Sequence, residues 1–309
     1  MTSLGLEKKA KLLEIGEIYI PKEVNMPCFA SRSSAGPDAG ASSYAFEVEG
    51  RRVRLEITKD PDSRLRLAQK NNHFNIFLDT DKFAEDVKIL PQLAHAPNQT
   101  FMIRSSKCKM GCAFCTTPEL IRGLGKDMTP ERVLKIIRIN SNYPSFEAVA
   151  LTSGIPDTIR QTNERLTNMI KAIRAEFPDV PIGVEAYFEN PRCIQYMKDA
   201  GADEIKINIE TWPPELFERV CPNRDREKTL AALEEAVRIF GRNKVQSNYI
   251  IGLGETNEQV IEGLKKLSRM GAVTNLRGIR FGELNRKRLE KALGRMPEKV
   301  SAERLIKLA

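Results

Sequence analysis

The sequence predicts an α/β chain built as a partial (β/α)6 barrel of the TIM type, preceded by an N-terminal extension. Three observations lead there. From about Gln99 onward, short apolar runs alternate with amphipathic stretches, the order expected of βα units around a parallel sheet. Helix-start and helix-stop residues fall regularly between those runs. The residues before Gln99 lack the alternation.

The elements follow in order. Leu4 to Ile15 reads as a helix. Residues 21–43 are rich in Pro, Ser, Gly and Ala without a period, and the run Ser34-Ala35-Gly36-Pro37-Asp38-Ala39-Gly40 reads as a tight irregular loop. Tyr44 to Thr58 reads as a hairpin turning at Glu49-Gly50-Arg51. The six strands of the barrel are expected at 101–105, 147–152, 181–187, 204–210, 245–252 and 273–281.

Between them, Thr129-Pro130 provides an N-cap and first residue ahead of the stripe Val133, Ile136 and Ile137. Asn190-Pro191 repeats the device before Ile194 and Met197, and Gly201 is the stop. Leu230, Leu233 and Val237 mark a helix closed by Gly241, and Thr256 with Gln259 forms a capping box ahead of Leu264 and Leu267. A last helix is expected from Ser301. The organisation is thus an extension over 1–98 with helix, irregular loop and hairpin, a barrel over 99–284, and a C-terminal helical segment over 285–309. Ligands of such a barrel sit at the carboxyl ends of its strands.

Composition narrows the function. A chain of 309 residues, 41% hydrophobic and 29% charged, can bury a large core. No stretch approaches the roughly 18 consecutive apolar residues of a membrane span, and Met1 to Leu13 alternates Leu with Lys and Glu, unlike a secretion signal. A cytoplasmic place and no membrane partner are expected. The net charge of +8 is spread along the predicted helices, with neither a dense basic run nor interleaved aromatics of the kind that grip nucleic acid. A solvated basic surface is the favoured reading.

Three of the six cysteines, Cys108, Cys112 and Cys115, fall within eight residues just after the first barrel strand. A disulfide framework would spread its partners along a small secreted domain. Three thiolates at intervals of four and three residues can instead bind three irons of a cubane from one short loop, leaving the fourth iron open. A structural zinc site would need a fourth ligand, and neither His73 nor His95 is spaced to supply it. A reducing, low-oxygen compartment follows.

This CxxxCxxC segment closely resembles that of radical S-adenosylmethionine (SAM) enzymes. The resemblance implies a [4Fe-4S] cluster on Cys108, Cys112 and Cys115 whose open iron is chelated by the amino and carboxylate groups of SAM, and a 5′-deoxyadenosyl radical formed on reduction. It places Phe114 beside the adenine, and Thr152-Ser153-Gly154 at the position of the amino-group motif, with two hydroxyl residues where the family has Gly-Gly-Glu. Asn208 and Glu210 alternate on the fourth strand, so both face the interior; ribose hydroxyls or an internal hydrogen-bond network would satisfy them. Gly252 and Gly254, in the turn Gly252-Leu253-Gly254-Glu255, resemble an adenine-contacting segment of biotin and lipoyl synthases.

Within the superfamily, Asn208-Ile209-Glu210-Thr211, then Arg219 and Cys221-Pro222, then Ile251 to Thr256, is similar in order and spacing to lipoyl synthase and more loosely to biotin synthase, over roughly residues 100–282. The chain departs from bacterial lipoyl synthase in lacking its N-terminal cysteine trio and C-terminal Arg-Ser-Ser. It carries Cys28, Cys193 and Cys221 instead, and with them resembles the archaeal-type split lipoyl synthases. These three thiols could hold an auxiliary cluster that serves as sulfur source, or could be ordinary buried cysteines.

The resemblance implies sulfur insertion into an unactivated C–H bond of an octanoyl-lysine on a carrier protein or peptide. A ferredoxin or flavodoxin would supply electrons, and a partner radical SAM subunit could take part. The alternatives are a cofactor-biosynthesis enzyme like the biotin-synthase-like protein of the iron-guanylylpyridinol pathway, whose first two cysteines are more widely spaced, and a non-catalytic cluster-bearing subunit. Arg277, Arg280 and Arg286 are candidates for the methionine carboxylate, with surface charge as the default.

Overall fold

The computed structural model describes residues 3–32, 41–91, 99–104, 108–116, 129–143 and 145–309. The loop expected at 34–40 and His95 lie outside the described residues. The chain divides into two compact units, one of Met1–Ser33, Asp38–Gln92 and Lys299–Ala309, the other of Ser34–Pro37 and Leu93–Glu298. The helix Glu283–Leu293 therefore belongs to the second unit, and the helix Ala302–Leu308, capped by Ser301 through the N–H of Arg304, to the first.

The first unit opens with helix α1 (Ser3–Ile15) and carries eight strands: β1 (Glu17–Tyr19), β2 (Ser31–Arg32), β3 (Ser42–Val48), β4 (Arg51–Thr58), β5 (Leu65–Lys70), β6 (His73–Leu78), β7 (Asp81–Ala84) and β8 (Lys88–Leu90). Their order is β2-β3-β4-β1-β5-β6-β7, with β8 on β3. The expected hairpin is β3–β4, and its turn residues Glu49 and Gly50 both have positive φ, as a two-residue hairpin turn requires. The sheet extends well beyond that hairpin. Leu65 and Leu67 alternate with exposed or half-buried neighbours, and they join Leu12, Ile18, Phe46, Leu55 and Ile76 in one apolar core. Only β5 shows a clear two-residue period, so the strands beyond the hairpin carry little local signal.

The second unit is the expected open barrel. Its strands β9 (Gln99–Arg104), β10 (Ala148–Ser153), β11 (Ile182–Glu185), β12 (Glu204–Lys206), β13 (Val245–Ile251) and β14 (Val273–Gly278) form one parallel sheet in sequential order. Among the described residues, strands β9 and β14 each pair on one side only, so the sheet stays open there. Val149, Leu151, Ile182, Val184, Ile205, Val245 and Tyr249 are buried on one face, as the two-residue period requires. The register sets Thr152, Glu185, Lys206 and Gln246 side by side on the other.

The connecting helices are α2 (Pro130–Asn140), α3 (Ile159–Glu176), α4 (Ile194–Asp199), α5 (Pro214–Val220), α6 (Arg226–Phe240), α7 (Asn257–Met270) and α8 (Glu283–Leu293), with α9 (Ala302–Leu308) in the first unit. Thr129, Thr158, Asp225 and Thr256 each accept a backbone N–H at an N-terminus, and the Thr256–Gln259 capping box is present. Asn190-Pro191 starts a single 3-10 turn, Pro191–Cys193, before α4. Gly263 lets α7 approach closely: an added Cβ would lie 2.8 Å from atoms of Trp212 and Tyr249.

The fourth barrel strand is shorter than expected. β12 ends at Lys206, and beyond it Glu210 takes a left-handed conformation (φ 63°) while bridging to Tyr249. The N–H of Thr211 turns back to the carbonyl of Ile209 at 2.7 Å. Strict alternation therefore does not govern where Glu210 points.

Candidate functional site

The carboxyl ends of the six strands bring the sequence-derived residues of the second unit to one end of the sheet. The segment Cys108–Thr116 follows β9 and is tied down at both ends. Lys109 N–H donates to Ile155 O at 2.8 Å, and Ile155 N–H donates to Cys108 Sγ at 3.3 Å. Ala113 N–H donates to Val220 O at 2.8 Å, and Asn223 Nδ2 to Lys109 O at 2.9 Å. Gly111 has φ 65°, and a Cβ there would lie 3.3 Å from the Asn223 amide. A turn closes from Cys115 N–H to Cys112 O at 3.1 Å.

Cys112 is buried, Cys108 and Cys115 are half-buried. The Cys112 thiol is hydrogen-bonded to that of Cys221, and this contact together with burial holds its pKa well above the ordinary value. In this structure no three His, Cys, Asp or Glu side chains converge as a metal site among the described residues. The donor set nonetheless suits iron and sulfide: three soft thiol ligands on one anchored segment.

Behind the segment lies a buried polar cluster. Arg224, directly before the N-cap Asp225 of α6, donates from Nη1 to Glu210 Oε1 at 3.2 Å and from Nη2 to the carbonyl of Asn208. Its guanidinium carbon is 4.3 Å from the Tyr187 ring centroid and 5.3 Å from that of Phe217. Burial pushes the Glu210 carboxyl up against the opposing pull of Arg224. Burial also raises Tyr187 well above its ordinary value.

Asn208 is satisfied inside the protein. Its Nδ2 donates to Glu185 Oε1 at 2.8 Å, and its Oδ1 accepts from Asn248 N–H at 3.0 Å. Burial acts against ionisation of Glu185, yet Lys206 at 3.3 Å and the Asn208 amide hold its pKa below the usual value. Asn208 and Glu210 are thus held by hydrogen bonds within the protein.

At the end of β10, Thr152, Ser153 and Gly154 are half-buried, and Ser153 Oγ donates to Gly154 O at 2.7 Å. At the end of β13, Gly252 (φ 92°) and Gly254 (φ 127°) need the left-handed region that glycine allows. The carboxylate of Glu255 accepts the N–H groups of Gly252, Leu253 and Gly254 at 2.6, 2.9 and 3.1 Å. Phe114 is buried, and its carbonyl accepts from Asn285 Nδ2 at 2.8 Å. Arg288 donates to the carbonyl of Cys115.

Cys221 caps α5 and is fully buried against Cys112. Cys193 lies in the 3-10 turn before α4, half-buried. Cys28 belongs to the first unit, packs on its core and faces Leu90 O at 3.9 Å; burial raises its pKa. Of the three arginines, Arg277 Nε donates to Asn248 Oδ1 at 3.1 Å, Arg280 lends its carbonyl to Asn285, and Arg286 stands 5.7 Å from the Phe281 ring.

Sequence reasoning missed Arg224, Glu185, Asn285 and Arg288. The cap Asp225 immediately after Arg224 is a local sign that the latter sits at a helix entrance. Asn285 and Arg288 contact the cysteine segment from about 170 residues away, and nothing local announces them. No helix among the described residues is long and apolar enough to cross a membrane.

Comparison with known proteins agrees with this arrangement. Lipoyl synthase of Caldicellulosiruptor saccharolyticus is 27% identical over 179 residues, 56% of this chain and 60% of that protein. Lipoyl synthase of Wigglesworthia glossinidia brevipalpis is 25% identical over 235 residues, 71% of this chain and 67% of that protein, and that of Protochlamydia amoebophila is 30% identical over 178 residues, 56% and 54%. The chain thus spans between about half and two thirds of the length of these curated relatives. The crystal structure of methylornithine synthase (PylB) aligns with a TM-score of 0.54 at 18% identity, covering 68% of this chain and 61% of that one. The [FeFe]-hydrogenase maturase HydG aligns with a TM-score of 0.53 at 17% identity, covering 68% and 47%; both show the shared fold.

The sequence profile of the Radical SAM superfamily matches residues 102–267, more than half of the chain. That span runs from β9 through the cysteine segment and the glycine turn into α7. Such a profile implies a [4Fe-4S] cluster and SAM. The chain belongs to the radical SAM superfamily.

Proposed function

We propose that this protein is a sulfurtransferase of the lipoyl synthase type, acting on an octanoyl-lysine carried by a protein or peptide. The observation that carries the reading is the anchored segment Cys108–Thr116 at the strand ends, with the lipoyl synthase likeness over the surrounding barrel. In this reading Cys108, Cys112 and Cys115 hold the cluster. Thr152, Ser153 and Gly154 face the methionyl amino group, Phe114 and the Gly252–Gly254 turn face adenine, and Asn208 and Glu210 are held by Glu185 and Arg224. When bound and reduced by a ferredoxin or flavodoxin, the cluster and SAM supply the radical that removes hydrogen from the substrate carbon.

The chain's own residues prepare that site. Ile155 N–H fixes the position of the Cys108 sulfur. Arg224 neutralises Glu210 in a site closed to water, and Glu185 fixes the amide of Asn208 so that its orientation does not depend on ligand. In this reading the sulfur source is an auxiliary cluster, for which Cys28, Cys193 and Cys221 are the remaining thiols of the chain, and a partner radical SAM subunit completes the reaction.

The test uses anaerobically reconstituted, reduced protein with SAM and an octanoyl-lysyl peptide. The expected result is 5′-deoxyadenosine together with a peptide heavier by sulfur. Release of 5′-deoxyadenosine without sulfur gain overturns the sulfurtransferase assignment, and absence of 5′-deoxyadenosine overturns the catalytic reading altogether.

A further inference from the structure

We propose that Asn285 and Arg288 of α8 are positioning residues for the cysteine segment, and that Arg288 raises the reduction potential of the cluster it holds; this rests on the reading that Cys108, Cys112 and Cys115 are the ligands. Helix α8 begins past residue 267, where the superfamily profile ends. Two of its side chains nonetheless bond directly to the segment.

Asn285 has no exposed surface. Its Oδ1 accepts from Gly282 N–H at 2.9 Å, and its Nδ2 donates to Arg280 O at 3.1 Å and to Phe114 O at 2.8 Å. A buried amide with these bonds made is held in one orientation, so this residue fastens the exit of β14, the start of α8 and the cysteine segment together. Three positions further on, the same helical face presents Arg288 to the next carbonyl, that of Cys115. The two consecutive carbonyls at the end of the segment, the second belonging to a cluster ligand, are thus clasped by residues one turn apart.

The two residues differ in charge. Asn285 is neutral and acts through geometry alone. Arg288 is permanently cationic and lies against the residue that carries the third thiol. Net charge and hydrogen bonding around a cluster set its potential, and a fixed cation favours the reduced, more negative state. Arg288 therefore makes the cluster easier to reduce.

The experiment compares the anaerobically reconstituted full chain with Arg288→Gln, Arg288→Lys, Asn285→Ala and Lys287→Gln. Lys287 is an exposed cation on the same helix. Iron per chain is measured, and the midpoint potential is read by EPR-monitored titration without SAM, on the signal that a Cys108→Ala, Cys112→Ala, Cys115→Ala variant loses. Arg288→Gln is expected to shift the midpoint to lower potential at unchanged iron, Arg288→Lys to stay near the parent, and Lys287→Gln to leave it in place. Asn285→Ala is expected to lower iron retention and broaden the signal.

An unshifted midpoint in Arg288→Gln, or an equal shift in Lys287→Gln, overturns the tuning role. Unchanged iron and line shape in Asn285→Ala overturns the positioning role. If Arg288→Gln does not fold, Arg288→Met, which keeps the apolar stem, takes its place with the same expected shift. A parent chain without any signal lost in the cysteine variant overturns the ligand reading itself, which separates that failure from this one.

Discussion

Arg224 and Glu210 form an ion pair at 3.2 Å in which the two side chains are only 3% and 4% exposed. Removing one partner leaves an uncompensated buried charge. Arg224→Met is therefore expected to cost about 3–5 kcal/mol, read as a lowered urea midpoint. Adding Glu210→Gln to Arg224→Met is expected to cost less than the sum of the single changes, and a strictly additive cycle would show that the pair is not coupled.

Glu255 accepts three consecutive N–H groups of the glycine turn. An amide offers one acceptor oxygen where the carboxylate offers two, and its NH2 group would face the same donors. Glu255→Gln is expected to destabilise the protein by about 1–3 kcal/mol, with faster amide exchange at Gly252 to Gly254. Parent-like protection of those amides would contradict the bonding described.

Gly263 is packed against Trp212 and Tyr249. Gly263→Ala brings a methyl group within 2.8 Å of both rings' atoms, so the gain in helix propensity is outweighed by overpacking of about 1–3 kcal/mol. Thermal unfolding should show a lower midpoint, and Trp212 fluorescence should shift. A raised midpoint would mean that the rings yield without strain.

Iron analysis separates the two sets of cysteines. Alanine at Cys108, Cys112 and Cys115 together is expected to remove about four irons per chain and abolish 5′-deoxyadenosine formation. Alanine at Cys28, Cys193 and Cys221, tested singly and together, is expected to remove about four others if these thiols hold the auxiliary cluster, with Cys28→Ala and Cys193→Ala leaving 5′-deoxyadenosine formation intact. Iron unchanged by the second triple change would eliminate the auxiliary cluster.

Much of the second unit was legible because its signals are local. Helix caps at Thr129, Thr256 and Asn190 act within three residues, and the β-strand period is read from neighbours. The first unit was read only where a turn signature, Glu49-Gly50, flanked two strands; β5 to β7 turn at Asn71 and Asp79, which reach positive φ without glycine. At the site, the thiols were legible from spacing. The partners of the thiols and carboxylates were not: Arg224, Glu185, Asn285 and Arg288 act across distances in sequence that no period records. Glu210 shows the limit of alternation, since its orientation is set by a left-handed backbone after β12 has ended.

The glycine turn after β13 has a chemical polarity that follows from Glu255. Its three N–H groups are already engaged by a carboxylate of the same turn, so it is not a cradle for phosphate, which would also meet that negative charge. The turn therefore discriminates against a bare anion by means of a side chain of its own.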